Sequence, residues 1–180
     1  MKTIFGIVAA GLLSGSALCS PTSKISWFLY DEERGAWCGF TSEAAFQDKA
    51  NKEKPLASAR VKLVSGTPSE ITYQVQPESG DWVIADRYSF LPGRISLKRA
   101  TIFAQTGMQV IQRAIIRRGV ATRLQLLSVR NVDGSSAGIK DVDVPLVPFK
   151  EDASQFHFLP IALALAKRPA MMLCGPRGTP

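Results

Sequence analysis

Histidine is almost missing from this 180-residue sequence: His157 is the single one, which excludes a histidine-rich metal site. Cysteine is scarce as well, with three residues at positions 19, 38 and 174, spaced too widely for a zinc knuckle. Long apolar runs are also lacking. The stretches Ile4 to Leu13 and Phe158 to Ala166 both fall well short of the ~20 residues needed to span a bilayer, so no transmembrane segment is expected. There is no internal repeat, no low-complexity tract and no cofactor motif, so no cofactor is expected.

What is present begins with an export signal. Lys2 supplies the positive start, Ile4 to Leu13 the apolar centre, and Ala17-Leu18-Cys19 small residues at both positions a signal peptidase inspects. Residues 1–19 are therefore read as a signal peptide and 20–180 as one β-rich domain, in a secreted or periplasmic protein. Lipidation of Cys19 is the alternative to plain cleavage, although Leu18 fits poorly before a lipidated cysteine. Without Lys2 the chain keeps 21 Lys plus Arg against 15 Asp plus Glu, a net charge of +6. That excess suits an anionic envelope component or a partner protein. Nucleic acid is not expected, because aromatic residues do not interleave with the basic ones.

Cleavage after Cys19 leaves Cys38 and Cys174, and an even count in an oxidising compartment invites a disulfide. Such a bond would hold down the tail Cys174 to Pro180, which has no core-building pattern. Two separate thiols are the alternative.

The pattern along the chain predicts a mainly β, β-rich α+β fold: an antiparallel meander curling into a sandwich or half-barrel, with two short helices. Ile25 to Tyr30 and Ala36 to Phe40 form a hairpin; Ser42 to Lys54 reads as a helix stopped by Pro55. Strands follow at 60–64, 70–76, 82–90, 94–104, 108–116 and 120–129, separated by Gly- and Pro-containing turns. The segment 141–149 contains Pro145 and Pro148 and should be an edge strand or an extended wrap, and Pro160 to Lys167 a short buried helix. A three-residue loop Arg117-Arg118-Gly119 would set Ile116 opposite Val120. Met108, Val110, Ala114, Leu124 and Leu126 would then share a core face, and Arg113 would stand across from Arg123 as a candidate anion-binding pair. A helix over 108–118 is the rival reading.

One enzymatic pattern is present. Gly134-Ser135-Ser136-Ala137-Gly138 matches the G-x-S-x-G nucleophile elbow, with Asp141, Asp143 and His157 following in hydrolase order. The elbow needs a strand-to-helix turn on a parallel sheet, and here the residues after Gly138 read as extended. The expected function is thus an exported, non-enzymatic binding or envelope-associated module. The alternatives are a serine hydrolase using Ser136 and His157, and an apolar-ligand carrier lined by aromatic residues such as Phe28, Trp37 and Tyr88.

Overall fold

A computed structural model describes residues 22–131, 133–137, 144–145 and 147–177. The signal segment with Cys19, and Gly138, Asp141 and Asp143 of the elbow pattern, lie outside these described residues. Among the described residues, ten strands form one antiparallel sheet: β1 (Ser23–Asp31), β2 (Ala36–Phe40), β3 (Ala57–Val64), β4 (Thr67–Val75), β5 (Trp82–Leu91), β6 (Arg94–Phe103), β7 (Gln109–Arg117), β8 (Val120–Ala121), β9 (Gln125–Arg130) and β10 (Met172–Arg177). Their order is β10-β2-β1-β3-β4-β5-β6-β7-β8, and β9 also pairs with β7. The sheet is open, in keeping with the mainly antiparallel, β-rich α+β fold expected. Among the described residues, no helix is long and apolar enough to cross a membrane.

Strand alternation gives the sheet two unlike faces. In β3, Ala57, Ala59, Val61 and Leu63 are buried while Ser58, Arg60 and Lys62 are only partly covered, and the same alternation continues through β4 to β7. The first face, called inner here, packs Phe28, Trp37, Ile71, Tyr73, Tyr88, Leu97, Ala114 and Ile116 into one core. The chain leaves β9 at one side of the sheet and recrosses this face. Lys150 lies over the Tyr73 ring, Phe156 against Tyr88, and Phe158 against Phe28 and Trp37. It then enters helix α2 (Leu159–Lys167), whose Ile161, Ala162 and Leu165 are buried. Each large apolar side chain so buried stabilises the fold by about 1.5–3 kcal/mol.

The helix expected at 42–54 is α1 (Glu43–Glu53). Ser42 caps it, its Oγ accepting from Ala45 N–H at 3.4 Å, and Lys54 ends it in the left-handed region before Pro55. α1 lies on the outer face but only at one end, where Ala45 and Phe46 cover Leu29, Cys38 and Phe40.

The tail ends as β10, which pairs with β2 and places Cys174 directly opposite Cys38. The two are bonded, with Cα atoms 4.0 Å apart. Glycine on both strands admits α2: a Cβ at Gly39 would stand 2.9 Å from Leu165 Cδ1, and one at Gly175 2.8 Å from Ile161 Cδ1.

One hairpin departs from its expected register. Arg118 and Gly119, both with positive φ (52° and 74°), make a two-residue turn, so Arg117 pairs with Val120 and Ile116 with Ala121. A two-residue turn in place of three slips the register by one residue. The segment 120–129 is also not one strand, because Thr122 to Leu124 leave the ladder between β8 and β9. There the Thr122 side chain accepts from Ile115 N–H at 2.9 Å. Leu124 still reaches the core, but Leu126 is 48% exposed.

Candidate functional site

The register correction rearranges the expected arginine pair. Arg113 stands opposite Gln125 of β9, not Arg123, and Arg123 sits exposed in the link between β8 and β9. On its other side Arg113 faces Lys98 of β6, and Lys98 in turn faces Arg87 of β5. Arg87 faces Thr72, and Thr72 faces Arg60. A single row therefore runs perpendicular to the strands across the outer face: Arg60, Thr72, Arg87, Lys98, Arg113. At a strand spacing of about 4.8 Å it extends over roughly 19 Å.

Small side chains flank the middle of this row, while Ile111 and Ile115 flank Arg113. Ser89 and Ser96 pair on one side of it, Ala85 and Ala100 on the other, all on the outer face by strand alternation. Long cationic chains thus stand as a ridge above low ground. Glu70 compensates one end, accepting from Arg87 Nε at 2.9 Å and lying 3.4 Å from Arg60 Nη1. The other end has no such relief. Among the described residues, no salt bridge joins Lys98 or Arg113 to a carboxylate. Like charges directly opposite one another repel, so this end is poised for an external anion.

Arg99, next in sequence to Lys98, has the opposite fate. Strand alternation turns it to the inner face, where it is 2% exposed and grips Asp86 with both Nε and Nη2 at 2.7 Å. Its Nη1 donates to the Val147 carbonyl at 2.6 Å, and Phe149 lies over the guanidinium. The Tyr88 hydroxyl donates to Asp86 at 3.3 Å and accepts from Lys150 N–H at 2.9 Å. This cluster fastens the recrossing segment to the sheet.

Burial pushes the Tyr88 phenol far above its usual value, and the Asp86 carboxylate adds to the shift; Tyr73 is raised by the same two causes. Both phenols hold their protons more tightly folded than unfolded. Their contribution to stability is therefore whole below the ordinary phenol value of 10.0 and is lost as pH rises above it. Denaturant midpoints taken from pH 8 to 11 should fall above about pH 10, and Tyr88→Phe should flatten that fall. An unchanged slope in the variant would show that Tyr88 does not drive it.

Ser136 forms an isolated antiparallel bridge with Arg130, the last residue of β9. It lies at the margin of an antiparallel sheet, whereas a nucleophile elbow sits on a parallel one. His157 is exposed between the buried Phe156 and Phe158, just before α2. The aromatic residues of the carrier reading are packed ring against ring, Trp37 to Phe158 at 4.8 Å and Tyr88 to Phe156 at 5.0 Å, so the second crossing fills the space they enclose. Of the expected disulfide and anion residues, the structure joins Cys38 with Cys174 and sets Arg113 opposite Gln125 in place of Arg123. Sequence reasoning missed Asp86. The signal for it was a charge at an inward position of β5, matched by Arg99 at an inward position of β6.

Compared with known proteins, the chain matches no family model, no curated protein and no solved structure.

Proposed function

We propose that this protein is an exported, non-enzymatic binding module that holds a linear polyanion of the cell envelope along the outer face of its sheet. The observation that carries the reading is the directly opposed pair Lys98 and Arg113 at the end of a cationic row, joined to no carboxylate among the described residues. At the middle of the row Arg87 and Lys98 stand between serine and alanine pairs, and cations spaced along a line suit a chain of spaced charges more than a flat bilayer. Trp27, partly exposed and opposite Arg60, adds a flat apolar surface at the compensated end of the same row. The Cys38–Cys174 bond supports an oxidising compartment, in keeping with a secreted or periplasmic location.

The test is binding of a fluorescent sulfated glycan to the purified protein across a salt series. K98E/R113E should weaken binding at least about tenfold, since roughly 1.4 kcal/mol suffices for that, and should flatten the salt dependence. Glu70→Gln should tighten it, because Arg60 and Arg87 then lose their internal anion. Equal binding by the double variant and the parent would overturn the proposal, as would stronger retention on anionic vesicles than on the glycan.

A further inference from the structure

On the opposite face, a cleft of about 340 Å³ opens between the sheet and the returning chain. Arg99 and Gln112 line it from the sheet, Leu124, Pro145 and Phe149 bring apolar surface, and Glu151 adds an acidic group. Its volume falls in the range of small-molecule sites, and its composition, apolar walls with a few polar groups, is of the same kind.

Two features of the cleft point to a ligand. The Gln112 Oε1 is buried and accepts no hydrogen bond. A buried polar atom left unpaired is costly and is ordinarily satisfied by protein, water or ligand. Arg99 is the second. A guanidinium has five N–H groups, and three of those on Arg99 are taken, two by Asp86 and one by the Val147 carbonyl. Two remain as donors in a residue that lines the same cleft.

The charge balance decides what would fit. Asp86 already neutralises Arg99, and Glu151 adds negative charge to the lining, so an anion is not favoured. A cation would meet the guanidinium. An amide head group both donates, as the Gln112 acceptor requires, and accepts, as the spare Arg99 donors require, and an apolar body matches the Leu124, Pro145 and Phe149 walls. We propose that this cleft binds a small uncharged molecule with an amide or hydroxyl head and an apolar body. The site is independent of the polyanion row, which lies on the other side of the sheet.

Three probes of equal size but different charge test it on the full chain: benzamide, benzoate and benzamidinium, with the Gln112 side-chain amide followed by NMR. Benzamide should shift that resonance saturably, and the two charged probes should bind at least about fivefold more weakly, the value of roughly one hydrogen bond. Gln112→Leu should lower benzamide affinity by a similar factor without lowering the melting temperature, because it removes a buried unpaired acceptor. Leu124→Trp, which fills the cleft and leaves Gln112 in place, should also abolish the shift. Benzoate binding as tightly as benzamide would overturn the neutral-ligand assignment. A Gln112 resonance unmoved by benzamide at millimolar concentration would show that water alone satisfies the glutamine.

Discussion

Asp86→Ala is expected to destabilise the protein by about 3–5 kcal/mol, because it leaves the Arg99 charge buried without its partner. Both side chains of the pair are 2% exposed, so water replaces the carboxylate only by entering the cluster from the cleft beside it. The double variant Asp86→Leu with Arg99→Met should regain most of the loss, since two apolar residues of similar size replace two charges that had to be desolvated. Urea denaturation of the two variants against the parent gives the result directly. A single variant costing less than about 1 kcal/mol, the usual worth of an exposed pair, would mean that solvent reaches Arg99 and that the cluster does not fasten the recrossing chain.

Removal of the disulfide should have an effect of similar size. Cys38 and Cys174 are separated by 136 positions, and closing so long a loop stabilises by about 5 kcal/mol in the chain-entropy model. Cys38→Ala with Cys174→Ala should lower the denaturation midpoint accordingly and expose the tail first. β10 lies at the margin of the sheet with only β2 as neighbour, and α2 rests in part against both. Limited trypsin digestion should therefore cut at the exposed Lys167 in the variant well before any site in β3 to β7. Equal resistance in both proteins would show that hydrogen bonds to β2 hold β10 without the covalent link.

The strands from β3 to β7 were legible because each signal was local. Alternation marked the faces, as in Arg60, Val61, Lys62 and Leu63, and Pro92-Gly93 and Thr106-Gly107 marked the turns. The Arg118-Gly119 turn was misjudged because it asks a non-glycine residue to adopt positive φ, which composition does not announce. β10 was invisible for a different reason. Cys174-Gly175-Pro176 has no strand period, and the segment becomes a strand through partners far away: Cys38 opposite it and α2 against Gly175. The disulfide itself could be read from a count, but not the pairing of strands around it. As for the site, the basic residues were visible while their alignment was not. That Lys98 meets Arg113, and that Arg99 turns away to meet Asp86, depends on register across three strands, and a shift of one residue exchanges the two faces.

The sulfur–sulfur bond also decides how the molecule answers to tension. Strands β3 to β9 and both helices lie between Cys38 and Cys174 along the chain, inside a covalent loop. A pull applied from outside that loop passes from one sulfur to the other and cannot lengthen anything within it. Only the residues before Cys38 and after Cys174 can extend, and of the strands β1 is the one wholly on that path. β1 sits between β2 and β3, so stretching would strip a strand from within the sheet while the cationic row on β3 to β7 stayed assembled. Tension applied at the two ends of the chain would thus leave the face that carries the row intact.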